Sequence, residues 1–330
     1  MFDLIAEGKQ PNQRWRKKIR DFDWHMIGRQ PGPYCVDWDS QLSRQHVQFR
    51  QVPDGIEVER FPNSTNPVFF DGHKADFFKI KANQHFVIGQ TRFGLVNSES
   101  EATQDVPSPI QQQTFSDQFL NALDYRDANL RINVLSQLPE LIADAANEEQ
   151  LLDRITNVLL QGVPQAEVVA IVSTTSPKDP VTIKHWDSRH ELEESFKPSE
   201  TLIRQAIGSQ ETVLHVWSDR GGAGSNYTIQ QHADWAYVCP LKATACRGQA
   251  VYVSGKVGRI GATLTTELLH DDLKFTQLVT STYANVIELE SLQRRQAALR
   301  TFFSPIVVEA LAGRDPDQVL EPRACYLSVL

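Results

Sequence analysis

Apolar positions change their spacing several times along this chain of 330 residues. Through the first hundred they come in short bursts rich in β-branched and aromatic side chains: Trp24-His25-Met26-Ile27, His46-Val47-Gln48-Phe49, Gly55-Ile56-Glu57-Val58-Glu59, Pro67-Val68-Phe69-Phe70 and His85-Phe86-Val87-Ile88. Asp54-Gly55 and Asp71-Gly72 fall between bursts as hairpin turns, and no helical period is sustained. Strands of this kind each have one apolar face to bury, which predicts a small all-β sandwich over residues 1–96. Residues 97–115 are polar and proline-bearing and read as a linker. Ser116 is placed to cap a connecting helix over 116–146, with Leu120, Leu123, Leu130, Val134, Leu138 and Leu141 on its apolar face. Asp127 and Gln137 interrupt its heptads, so a loose bundle or dimer helix is expected.

From Asn147 the spacing alternates between helical and extended. A helix capped by Asn147 buries Leu151, Leu152, Ile155, Val158 and Leu159, and strands follow at 167–173 and 181–186. A helix over 199–209 precedes a strand at 212–216, a glycine-rich loop (Gly221-Gly222-Ala223-Gly224), and strands at 235–241 and 249–255. This predicts an α+β domain over 147–274, its helices on one side of the sheet. A long helix then carries Leu278, Thr282, Asn285, Leu289, Leu292, Gln296, Leu299 and Phe303 at steps of four and three, the spacing of a coiled-coil seam over 275–303. Polar Asn285 and Gln296 on that seam weaken a zipper while fixing its register. The last stretch, 304–330, is turn-rich and ends in Tyr326-Leu327-Ser328-Val329-Leu330, which reads as the start of a buried strand and so as a cut chain.

Composition narrows the function classes. A net charge of -8 argues against a general nucleic-acid binder. The run Arg14-Trp15-Arg16-Lys17-Lys18-Ile19-Arg20 alternates, which suggests a solvated strand face or an arm beside an anion site. No run reaches the roughly 18 apolar residues of a membrane helix, and the first residues lack a signal-peptide core. The four cysteines form no C-x-x-C pair, which fits a reducing cytoplasm and neither a disulfide framework nor a zinc site. The nine histidines show no H-x-x-x-H spacing, and no G-x-S-x-G, H-E-x-x-H or P-loop pattern occurs, so no catalytic or metal-binding residues are assigned to this chain.

Gly28-Arg29, Leu42-Ser43-Arg44-Gln45-His46, Asn63-Ser64-Thr65-Asn66 and Gly72 lie in loops between the predicted strands. In combination this set, over roughly residues 20–96, resembles the forkhead-associated (FHA) domain, a reader of phosphothreonine peptides. The resemblance implies that Arg29, Ser43 and Arg44 contact the phosphate, that Thr65 and Asn66 contact the peptide, and that Gly28, His46 and Gly72 are structural. A phosphate dianion wants a guanidinium fork and short hydroxyl donors held on rigid loops. Pro67 stands where the family has glycine; it lacks an N–H and fixes φ, so the peptide-side loop is expected to differ. The alternative is an FHA fold kept as a docking or dimer surface.

The order helix, β-β, helix, β, loop, β-β, helix over about 147–290, with Glu149, Leu151, Leu152 and Ile155 in the first helix and the Val238-Cys239-Pro240-Leu241 strand, resembles the GAF domain. That implies a dimerisation module with or without a small-ligand pocket; the N-K…F…D-E signature of cyclic-nucleotide binders is absent. Phe302-Phe303-Ser304-Pro305 through Glu321-Pro322-Arg323 to Leu330 resembles the entry to a bacterial class III adenylate or guanylate cyclase. It implies a homodimeric parent that cyclises ATP, or GTP, with Mg or Mn, whose catalytic residues lie beyond Leu330. This chain would be its inactive regulatory part, a phosphothreonine reader and GAF sensor signalling through a coiled coil. An FHA-GAF interaction scaffold and the sensor half of a sigma-54-type transcription activator are the alternatives.

Overall fold

The structure, a computed structural model, describes residues 2–10, 13–97, 102–103, 108–125, 128–143, 145, 147–176, 179–190, 196–217, 233–257 and 266–302. The glycine-rich loop, Phe303 and the expected cyclase entry over 304–330 lie outside these residues.

Two antiparallel sheets make the N-terminal sandwich. One joins β1 (Phe2–Glu7), β2 (Arg14–Lys18), β7 (Val68–Phe70), β8 (His73–Lys74), β10 (His85–Ile88) and β11 (Thr91–Asn97) in the order β2-β1-β11-β10-β7-β8. The other joins β3 (His25–Gly28), β4 (Tyr34–Cys35), β5 (Val47–Val52), β6 (Gly55–Arg60) and β9 (Phe77–Ile80) in the order β4-β3-β5-β6-β9, with β4 alongside β3 in parallel. Their inner faces bury Leu4, Ile27, Val47, Phe49, Ile56, Val58, Phe86, Phe93 and Leu95. A column of rings, Phe70 on Phe78 at 4.8 Å, Phe78 on Phe86 at 5.5 Å and Phe86 on Phe93 at 4.9 Å, ties the sheets together.

The second module begins earlier than its sequence suggests. Within the expected linker, β12 (Gln111–Phe115) pairs with β15 (Thr212–Val216), so 111–115 belongs to the second sheet. The connecting helix divides into α1 (Asp117–Ala122), capped by Ser116, and α2 (Asn129–Ala143). Then come α3 (Glu148–Gly162), whose Asn147 cap accepts from Gln150 N at 2.9 Å, β13 (Ala166–Ser173), β14 (Thr182–Ser188), α4 (Glu200–Ser209), β16 (Trp235–Pro240), β17 (Gln249–Gly255) and α5 (His270–Phe302). The sheet order is β12-β15-β16-β17-β13-β14.

Helices cover both faces of this sheet, not one. Every residue of β15 and β16 is buried, so each face needs an apolar cover. Trp235 and Tyr237 point to the face packed by α3 and α5, with Ile155, Leu159, Phe275 and Tyr283. Ala236 and Val238 share the other with Leu202, Ile203 and Ala206 of α4. Gly162 sets the α3–α5 approach: a Cβ there would lie 2.1 Å from Phe275 Cζ. The first half of α5 is packed down by Phe275, Val279 and Tyr283, whereas Leu289 and Leu292 are 57% and 51% exposed.

The basic run at 14–20 is not a solvated strand face: Trp15, Arg16 and Ile19 are buried. Strand β2 is the edge of its sheet, and its outer edge is capped by the second module. Asp153 Oδ1 accepts from Arg16 N at 3.0 Å, and Asn157 Nδ2 donates to Arg14 O at 3.2 Å. The periods match: two strand residues span about 6.6 Å and four helical residues about 6 Å, so an i, i+4 pair on α3 meets an i, i+2 pair on β2. Side chains complete the clasp. Arg14 Nη2 pairs with Asp187 Oδ1 at 2.8 Å, and Arg14 Nη1 donates to Ser188 O at 2.8 Å. The Arg16 guanidinium pairs with Asp3 at 2.8 Å and lies 3.4 Å from the Trp186 ring centroid.

Burial raises the Asp153 carboxyl to about 7, against the pull of the Arg16 N–H and Lys17. His185, whose Nε2 is 3.8 Å from Asp153 Oδ1, is lowered to about 3 by burial and stays neutral. A carboxyl lifted in the fold favours its protonated form. Its stabilising share is complete below the ordinary carboxylate range and is lost as pH rises through about 7. Asparagine at 153 imitates that protonated form at every pH. Asp153→Asn is therefore expected to melt several degrees above wild type at pH 8, with the gain vanishing near pH 4; a gain that does not depend on pH would contradict this burial.

Candidate functional site

The loops at one end of the sandwich gather the residues singled out in the sequence. Strand β3 ends at Gly28, where a Cβ would lie 2.1 Å from Arg44 O, so only glycine lets the two loops touch. Backbone bonds from Arg29 N to Ser43 O and from Gln30 N to Arg44 O, each 3.0 Å, lace them together. Arg29 Nε donates to Leu42 O at 2.7 Å, which fixes the guanidinium against the Ser43 loop. Its Nη groups make no hydrogen bond among the described residues.

His46 joins that loop to the Asn63–Asn66 loop. It is fully buried, and its Nδ1 accepts from Ser43 N at 2.9 Å. The proton therefore sits on Nε2, which donates to Asn66 O at 3.0 Å. Burial lowers the ring's pKa, which keeps this neutral tautomer. Ser43 Oγ accepts from Thr65 N at 3.1 Å, and Asn66 Nδ2 donates to Gln41 O at 2.7 Å. Arg29, Ser43, His46, Thr65 and Asn66 thus form one connected set. Arg44 is exposed beside them, and Thr65 is exposed at the rim. Gly72 stands apart, at φ +77° in the turn between β7 and β8, a left-handed conformation that favours glycine.

Two supports went unread in the sequence. The buried Asp39 accepts from Gln41 N at 2.9 Å, from Gln90 N at 2.7 Å and from Thr91 Oγ1 at 2.9 Å, pinning the Ser43 loop to the turn between β10 and β11. Its Asx turn to Gln41 N is local, whereas its bonds to Gln90 and Thr91 leave no local pattern. Arg60 pairs with Asp76 at 2.6 Å and donates to Ser64 O at 2.7 Å, shaping the loop that carries Thr65. That contact spans a hairpin and leaves no local pattern.

Arg14, Arg16, Arg50, Arg60 and Arg204 each sit against a carboxylate. Among the described residues Arg29 and Arg44 have no acidic partner, although the chain as a whole is acidic. Two uncompensated guanidinium groups beside a serine hydroxyl, on loops fixed by backbone bonds, are suited to a phosphate dianion. No group of His, Cys, Asp and Glu side chains among the described residues can hold a metal ion. On α5, Asn285, Leu289, Leu292 and Gln296 are exposed together; Leu299 lies in the helix with its side chain outside the described set, and Phe303 lies beyond it. No described helix is long and apolar enough to cross a membrane.

No protein-family model matches the chain, and no curated protein matches it. Solved structures similar to it include the FHA domain of CT664 from Chlamydia trachomatis, at 21% identity over 29% of this chain and 99% of that one, with a TM-score of 0.25. The FHA-1 domain of Rv1747 from Mycobacterium tuberculosis is similar at 14% identity over 29% and 98%, with a TM-score of 0.24. EmbR of Mycobacterium tuberculosis, in complex with a low affinity phosphopeptide, is similar at 14% identity over 28% and 24%, with a TM-score of 0.24.

Proposed function

We propose that the sandwich is an FHA-type phosphothreonine reader and that the chain is the regulatory part of a larger signalling protein. One observation carries the reading: Arg29 and Arg44, without acidic partners among the described residues, flank Ser43 on loops locked by His46. A phosphothreonine brings about -1.5 to -2 charges and three acceptor oxygens, which this trio is equipped to meet. Thr65 and Asn66 line the side along which the peptide would run, and Asn66 would exchange its bond to Gln41 O for one to the peptide backbone.

The second module is proposed to be of GAF type. The order α3, β13, β14, α4, β15, β16, β17, α5 supports this, since it is the order that the sequence resemblance implied. Its role would be dimerisation and transmission, with or without a small ligand. The exposed stripe Asn285, Leu289, Leu292 and Gln296 supports a homodimer through α5. The wording of 302–330 supports a class III cyclase as the parent, with ATP or GTP and Mg or Mn used by a catalytic unit outside this chain, in the cytoplasm. The chain itself is then not an enzyme.

The reader is tested with a phosphothreonine-oriented peptide library, with threonine and phosphoserine libraries as controls. Wild type is expected to retain phosphothreonine peptides. Arg29→Ala and Ser43→Ala should each bind the selected peptide roughly ten- to hundredfold more weakly, the value of one charge-assisted hydrogen bond of about 1.5–3 kcal/mol. No selection by wild type, or variants that bind as tightly as wild type, refutes the reading. The dimer is tested by sedimentation: Leu289→Asp with Leu292→Asp should turn a dimer into a monomer, and a wild type that is monomeric at every concentration refutes it.

A further inference from the structure

Strand β2 is held from two directions. On one side lies the stem of the Arg29 loop. Trp15 Nε1 donates to Cys35 O at 2.9 Å, Tyr34 OH donates to Lys18 O at 3.3 Å, and Lys17 Nζ donates to Pro33 O. Cys35 Sγ in turn donates to Arg29 O at 3.6 Å. On the other side lies the clasp to the second module, with Asp153, Asn157, Trp186 and Asp187. A cleft of about 350 Å³ is lined by Gly32 and Cys35 of the loop stem and by Gln150, Asp153 and Arg154 of α3.

Residues Trp15 and Arg16 are only 4% and 2% exposed. A shift of β2 toward either side strains contacts on the other: the bond from Arg16 N to Asp153 is buried, and those of Trp15 to Cys35 and of Tyr34 to Lys18 are part-buried. One strand thus touches both neighbours directly, and a contiguous set of contacts of this kind can carry coupling.

We propose that strand β2 couples the Arg29 loop to the α+β module, so that docking of the module on β2 holds the loop in its ligand-ready form. The inference rests on the phosphothreonine reading of the same loops. Reciprocity fixes the converse: a phosphopeptide at Arg29 and Ser43 tightens the clasp by the factor by which the clasp tightens the peptide. The sandwich would thus report its occupancy to α3, which packs on α5.

The test uses the whole chain and the phosphothreonine peptide that wild type selects. Trp186→Ala and Asp187→Asn loosen the clasp from β14, on the side of β2 away from the Arg29 loop. Each is expected to weaken peptide binding about fivefold or more, the lower end of typical coupling between sites. In wild type the peptide should slow amide exchange over residues 14–18 and 148–157. Variants that bind like wild type while exchanging faster at 14–18 overturn the proposal. So does a wild type whose exchange over 148–157 is unchanged at saturating peptide, a measurement that stands even where a variant fails to fold. A wild type that selects no phosphopeptide fails differently, removing the reader and the coupling together.

Discussion

An edge strand leaves a row of backbone donors and acceptors without partners, and burying them unpaired is costly. In this chain the constraint falls on β2, and α3 satisfies it. Asp153 and Asn157 stand in for the strand that the sheet lacks, bonding Arg16 N and Arg14 O. Much follows from that substitution. The arginines of β2 must enter the interface, so Asp3, Asp187 and Trp186 must be there to receive them. The Asp153 carboxyl group that accepts the backbone N–H is buried, and burial raises its pKa. The two modules become one docked unit and not beads on a linker.

The loops of the candidate site follow the same rule on a smaller scale. Its loops are fixed by bonds among themselves before any ligand arrives. His46 accepts from one loop and donates to the other; Asp39 pins the first from behind; Gly28 allows the contact. What the frame leaves without an acidic partner among the described residues is two guanidinium groups, those of Arg29 and Arg44. Preorganised donors lose little freedom on meeting a ligand, which is why a site of three side chains can suffice.

Much of the fold was legible because local pattern and burial agree. The bursts at 47–49, 55–59 and 85–88 alternate, and the strands form there. Ser116, Asn147 and Ser199 cap helices because each supplies an oxygen to a free N–H of the first turn. The failures have physical causes. Strand β2 reads R-W-R-K-K, a solvated pattern, because its partners are the carboxylates and indole of a distant segment. Strand β12 is glutamine-rich and takes its place by pairing with β15, which local sequence does not encode. The continuous apolar run of β16 could have shown that its sheet is covered on both faces. At the site, Arg29, Ser43 and His46 were legible as loop residues of a known pattern, whereas Asp39 and Arg60 act through contacts 51 and 16 residues away.

Arg29, Arg44 and Ser43 are proposed to grip a phosphothreonine together. A crystal structure of the whole chain with a selected phosphothreonine peptide tests it most directly. The account predicts phosphate oxygens about 2.7–2.9 Å from the Arg29 guanidinium and a similar distance from Ser43 Oγ, with the peptide backbone passing Asn66. A phosphate bound elsewhere on the chain, or a peptide held through contacts that leave Arg29 and Ser43 free, would contradict it.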